Sequence, residues 1–290
     1  MTSPDRIPDL IQARFGPDLG PTWAGFGHDL GGLSARLGRA DCDGLARLLD
    51  RRSCRDYAER EVPEELVRLI LAAGLCAPTK SDLQQADIVW VRDRALRGEI
   101  MEGIGGADWI VRAPVFLVVC GNGARFASLF EGGDFANDHF DALFNATVDA
   151  AIVLEGIVAA AALAGLGTCP ISQIRNRAER IGGLLDLPDR VFPVAGLCMG
   201  YAASEAPISP RLDLDITVHE DRYDRDAFVR LGAAYDTRRI ADAPYRRQRD
   251  PERFGVAESY GWREDKRRQY ADPRRAGFGA YLRGMGFSFE

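Results

Sequence analysis

Residues 113–120 (APVFLVVC) and Val191–Gly200 (VFPVAGLCMG) are unbroken runs of strand length without a charged side chain. A strand with one wet face alternates polar with apolar residues, so an unbroken apolar run of strand length implies cover on both faces. Residues 86–92 (ADIVWVR) read as a third strand and Gly167–Ile171 as a short strand or loop. Helical periods fill the intervals at 43–49, after Val62-Pro63-Glu64-Glu65, at 95–102, at 138–165 and at 174–185. Proline in the first turn and carboxylates at the positive end of the dipole mark the second of these starts. Helices alternating with buried strands predict an α/β or α+β core on one sheet.

The 138–165 helix is the most apolar segment, yet Asp149 and Glu155 interrupt it and alanine dominates it, which predicts a buried core helix with no membrane span. The N-terminus lacks a basic stretch followed by an apolar run, so no signal peptide is expected. Six cysteines are scattered without a CxxC pair and read as buried reduced thiols of a cytoplasmic protein, with no zinc spacing. His28, His139 and His219 are too dispersed for a metal site, and Asp138-His139 reads as a helix cap. Phe140 and Phe144 have core spacing, with Phe135 beside them, and lining an acceptor cavity is the other reading.

Three segments differ in character: 1–40, an extension rich in Gly, Pro and Asp; 41–236, the regular core; and 237–290, a tail. The 43 acidic and 37 basic residues give a net charge of −6, which argues against a nucleic-acid or anionic-membrane binder. The tail holds 13 Lys+Arg and 8 Asp+Glu, a net of +5 against −11 for residues 1–236, with interleaved aromatics. Wrapping over a folded surface is favoured there above nucleic-acid contact. Lys80 and Lys266 are the only lysines, so the cation is almost always arginine, whose forked donors match phosphate.

Four motifs gather donors. Arg51-Arg52-Ser53-Cys54-Arg55 follows a helix and suits a phosphate, although short basic strings are commonly solvated turns. Ala77-Pro78-Thr79-Lys80-Ser81 ends a helix and reads equally as an anion cradle or an ordinary cap. Gly165-Leu166-Gly167 leads into Pro170-Ile171-Ser172, where main chain can approach a flat ligand. Ser209-Pro210-Arg211-Leu212 sets one more arginine after a turn.

Their order and spacing resemble the nitroreductase family of flavoproteins. The resemblance is carried by Arg51-Arg52-Ser53-Cys54-Arg55 with Tyr57, Val62-Pro63-Glu64-Glu65-Leu66, Ala77-Pro78-Thr79 through Leu83-Gln84, Gly165-Leu166-Gly167, Leu187-Pro188-Asp189 and Val194 through Tyr201. Pro210-Arg211-Leu212 and Val218-His219-Glu220 bring it closest to the oxygen-insensitive NADPH nitroreductases and NADPH:flavin reductases. It covers residues 41–236 well and continues weakly into the tail.

What the resemblance implies is an α+β fold, a mixed β-sheet flanked by helices, and an intertwined homodimer with FMN at its interface. Arg51, Arg52, Ser53, Arg55 and Arg211 would take the phosphate and ribityl chain. Pro78, Thr79 and Ser81 would approach from the other subunit, and Pro170, Ile171, Ser172 and Gln173 would lie against the ring. The implied activity is FMN-dependent NADPH oxidation, reducing nitroaromatics, quinones or flavins by ping-pong hydride transfer through flavin N5, with no catalytic side chain. Arg246 and Arg247 fall where the subgroup keeps a cation for the NADPH 2′-phosphate, and a surface charge run explains them equally well. The partners implied are a second copy and a small-molecule electron acceptor, with no nucleic acid and no membrane. Against the subgroup's pattern, Ala107 replaces a polar amide, Ser209 replaces a lysine, and Arg51 stands where histidine is frequent. A specialised flavoenzyme, such as a reductive dehalogenase or a one-metabolite dehydrogenase, and a non-catalytic flavin-binding regulator remain open alternatives.

Overall fold

The computed structural model describes residues 3–16, 38–105, 108–130 and 139–290, which form two compact units. His28, Gly106, Ala107, Phe135 and Asp138 lie outside the described residues.

One unit comprises residues 53–206 and 274–290. Its sheet contains β1 (Ala86–Trp90), β2 (Val115–Asn122), β3 (Gly167–Ile171) and β4 (Val191–Gly200), in the order β1-β2-β4-β3. Each of these neighbours is antiparallel, and the Ser53–Thr168 bridge adds a parallel pairing at the β3 edge. The unit is therefore α+β, and the two apolar runs are its central strands β2 and β4.

The strand period of two sends alternate β2 residues to opposite faces. Val115, Leu117 and Val119 meet Val67 and Ile70 of the Glu64–Leu75 helix and Ala150, Val153 and Ile157 of the Phe140–Leu163 helix. Phe116, Val118 and Cys120 meet Ile100, Met101 and Ile104 of the Arg94–Ile104 helix, with Ile174 and Ile181. Both faces are covered, which is why the runs show no alternation. The helices over the first face cross so closely that a Cβ on Gly156 would lie 3.0 Å from the Gly74 carbonyl oxygen.

The Phe140–Leu163 helix is long and apolar enough to cross a bilayer, yet Ala146, Ala150, Ile157 and Ala161 are fully enclosed in this core. Its N-cap is His139, whose Nδ1 accepts from the Asp141 N–H at 3.3 Å. Phe140 and Phe144 are not core residues: they are 50% and 54% exposed and pack on each other at 6.4 Å. The amphipathic helix expected at 174–185 is broken instead into a 3-10 turn, Gln173–Arg177, and a short helix, Ala178–Leu184, because Arg177 leaves helical dihedrals. Five cysteines are buried as expected, but Cys76 caps its helix at the surface.

The other unit comprises residues 1–52 and 207–273. Little periodicity is evident in the first forty residues, yet Ser3–Phe15 is a helix whose Ile7, Leu10 and Ile11 pack on Cys42 and Ala46 of the Arg39–Asp50 helix. The tail divides between the units. Trp262 packs edge-on against Phe228 and Tyr235 in this one, whereas Leu282 and Phe287 close on Phe192 and Leu143 in the sheet unit. Much of the tail's charge is internally paired, as in Arg253–Asp272, Arg249–Asp265 and Arg267–Glu264.

Candidate functional site

In the unit of residues 1–52 and 207–273, three of the expected phosphate ligands come together around a fourth arginine that sequence reasoning missed. Arg51 and Arg52 follow the Arg39–Asp50 helix, and Arg211 follows the Pro210 turn. Between those segments Arg14 is 6% exposed. Its Nε donates to the Leu49 carbonyl at 2.9 Å, one terminal nitrogen donates to the Ser209 carbonyl at 3.0 Å, and the other to the Arg51 carbonyl. Burial, and then the charges of Arg211, Arg51 and Arg52, push its pKa down to about 10 against the pull of Asp50. Like charges held this close make a strong anion site, since an arriving phosphate relieves their mutual repulsion. Arg52 bonds Asp50 at 2.8 Å; Arg51 and Arg211 form no ion pair with any described residue. Ser209 contributes its carbonyl to Arg14 and brings no charge of its own.

The loop carrying Arg246 and Arg247 is anchored at both flanks. Tyr245 lies beneath Arg239 at 4.7 Å, and Gln248 exchanges two hydrogen bonds with the Ala257 backbone at 2.8 and 2.9 Å. Arg249 donates to Asp265 at 2.9 Å, and Asp265 is 1% exposed. Between these anchors the side chains of Arg246 and Arg247 are exposed.

In the sheet unit, Ser53 bridges Thr168 on β3 and the Cys54 N–H donates to the Thr168 carbonyl at 2.9 Å. The Thr168 hydroxyl is buried without a partner among the described residues. Two residues further, Pro170 and Ser172 are exposed and Gln173 is half-buried, whereas the Ile171 side chain turns into the core beside Gly196. Arg275 donates to the Ser172 hydroxyl at 2.9 Å and to Asn176 at 2.8 Å. Arg55 is exposed over Trp109, at 5.8 Å, on a cleft of about 760 Å³ that also presents Tyr57, Trp90, Arg92 and Arg112. Guanidinium groups beside flat rings suit a planar anionic or polar ligand.

Pro78, Thr79 and Ser81 sit elsewhere in the same unit. Asp149, 1% exposed inside the apolar helix, accepts from the Lys80 N–H at 3.0 Å, the Gln85 N–H at 3.0 Å and the Thr79 hydroxyl. This grip holds Ser81, Asp82 and Gln84 in the left-handed region, at φ 51°, 58° and 51°. Such a conformation costs a non-glycine residue about 1–2 kcal/mol, and functional turns are where it concentrates. Ser81 and Gln85 line a second cavity of about 240 Å³ with His139 and Asn145. The signal for Asp149 was present in the sequence, because a carboxylate in the middle of a buried helix needs donors from outside it.

Most of the chain matches known proteins. Residues 48–201 match the Nitroreductase family and residues 209–290 match the Nitroreductase family, C-terminal domain. An FMN reductase [NAD(P)H] of Bacillus subtilis is 35% identical over 198 residues, 66% of this chain and 79% of that protein. An oxygen-insensitive NADPH nitroreductase of Salmonella typhimurium is 32% identical over 189 residues, 65% and 78% of the two chains. The solved structure of B. megaterium NfrA2 superposes with a TM-score of 0.76 at 29% identity, covering 86% of this chain and 99% of its own. The Ser3–Phe15 helix, with Arg14, lies ahead of the family match.

Proposed function

Because the chain belongs to the nitroreductase family, we propose that it is an FMN-dependent NAD(P)H oxidoreductase that reduces nitroaromatics, quinones or flavins. The observation that carries the reading is the arginine group of Arg51, Arg52 and Arg211 around Arg14, whose donor chemistry fits a phosphate monoester. Ser53 and Arg55, next in sequence, complete the proposed phosphate and ribityl ligands. Pro170, Ser172 and Gln173 border the ring with their exposed groups, and Ile171 supports them from the core. Pro78, Thr79 and Ser81 serve the FMN of a partner subunit, on a turn that Asp149 holds fixed. Bound there, FMN would supply the two-electron chemistry, so no acidic or basic side chain is assigned a catalytic role.

Arg246 and Arg247 meet the 2′-phosphate of NADPH, the donor proposed from the relatives' names. A homodimer is supported by Phe140, Phe144 and Leu163, large apolar side chains left exposed along one core helix. A cytoplasmic location is in keeping with six free cysteines.

Purified protein is expected to be yellow and dimeric, and anaerobic NADPH should bleach its flavin absorbance, which returns when a nitroaromatic or quinone is added. Colourless protein that binds no added FMN, or a bound flavin that NADPH leaves oxidised, would overturn the proposal.

A further inference from the structure

Arg14 lies outside the residues that match the family, yet it touches both segments that carry the proposed phosphate cations. The Leu49 and Arg51 carbonyls are the unpaired end of the Arg39–Asp50 helix, and the Arg14 fork caps them together. Its remaining nitrogen takes the Ser209 carbonyl, two residues before Arg211. The tie is reciprocal: the Arg211 N–H donates to the Arg14 carbonyl at 2.6 Å. Arg238 then reaches the Arg14 carbonyl at 3.3 Å, the Arg211 carbonyl at 2.7 Å and Asp213 at 2.6 Å, closing a cage around the Arg211 backbone. Ile7, Leu10 and Ile11 bury the other face of the Arg14 helix, so the fork is held by packing as well as by hydrogen bonds.

We infer that Arg14 is a positioning residue for the phosphate subsite: it sets the backbones from which Arg51 and Arg211 reach the anion and adds one buried positive charge behind them. The charge matters because Ser209 provides none at its position, and a desolvated guanidinium acts through a medium less screening than water. A neutral, donor-free side chain such as methionine reproduces neither the charge nor the three directed donors. The inference rests on the FMN reading above, and its ligand is the phosphate alone, not the ring.

The test compares FMN with riboflavin, which has the same ring and no phosphate, by flavin-fluorescence titration of refolded or flavin-stripped full-length chain. In Arg14→Met the Kd for FMN is expected to rise about tenfold or more, the scale of a lost charged hydrogen-bond group, with riboflavin changed by less than about twofold. Arg14→Lys keeps the charge without the fork and should fall between the two proteins; it decides the question if Arg14→Met fails to fold. Equal weakening of both flavins shows a merely structural role and overturns the inference, as does unchanged FMN affinity. If the unmodified chain itself binds FMN no better than riboflavin, the phosphate reading falls with it, an outcome separate from any effect of the variants.

Discussion

Each unit uses one almost fully buried aspartate to hold a loop proposed to meet a ligand, and the two do it with different partners. Asp149 accepts from the backbone N–H groups of Lys80 and Gln85 and from the Thr79 hydroxyl, all neutral donors. Asp265 accepts from Arg249 at 2.9 Å, Lys266 at 2.7 Å and the Tyr260 hydroxyl at 2.9 Å. Backbone donors fix φ and ψ directly, so the first loop can be kept in a strained left-handed run. Side-chain cations leave the backbone between anchors freer, and their ends are partly exposed to salt and water. A turn that must present main chain to a cofactor suits the first arrangement, and a loop that must admit and release a nucleotide suits the second.

The largest effect is therefore expected at Asp149. Asp149→Asn keeps the shape but puts an NH2 donor in place of one acceptor oxygen, facing donors that then lack a partner, and should cost about 2–4 kcal/mol of unfolding free energy in a urea titration. A loss under about 0.5 kcal/mol would show that the 79–85 turn does not depend on the carboxylate. The paired loop should respond less to substitution and more to acid. Hydrogen bonds from Arg267 and Arg268 hold Glu264 well below the usual range, at about 2. At Asp265 burial pushes the carboxyl up, but the bonds from Lys266 and Tyr260 prevail and it too is lowered. Carboxylates with depressed native pKa values add stability that is complete above their unfolded pKa and is lost as the pH falls through the native value. Amide exchange over residues 245–270 should thus quicken as the pH drops from about 5 towards 2, after correction for the intrinsic rate. In Asp265→Asn that acid sensitivity should shrink, and an unaltered profile would remove the ion pairs from the account.

The comparison also shows what a sequence carries. The two apolar runs announced β2 and β4, and the Val191–Gly200 bounds match the observed strand because burial on both faces leaves an unbroken pattern; Gly167–Ile171, read as a short strand or loop, is the edge strand β3 with Pro170 exposed. The Arg51–Arg55 string was visible because its donors are neighbours in the chain. Arg14 was not: 37 residues separate it from Arg51 and 195 from Ser209, and its partners are carbonyls, which every residue possesses. The helix that carries it has Pro8 inside and few apolar side chains, so its period is faint. Phe140 and Phe144 misled for the opposite reason: helical spacing reports a shared face, and it does not report whether that face turns inward.

The smallest effect on the fold, and the sharpest on function, is expected at Arg246 and Arg247. Both are exposed between the Tyr245 and Arg249 anchors, so replacing the pair by alanine should leave stability within about 0.5 kcal/mol. Lost charge-assisted contacts to a 2′-phosphate should raise the KM for NADPH about tenfold and that for NADH less than twofold. Because Asp265 holds the loop and does not itself meet the nucleotide, Asp265→Asn should raise the NADPH value in the same direction but less. Equal changes for NADPH and NADH in the double variant would show that the two arginines are only surface charge, and the second loop would then be anchored for some other end.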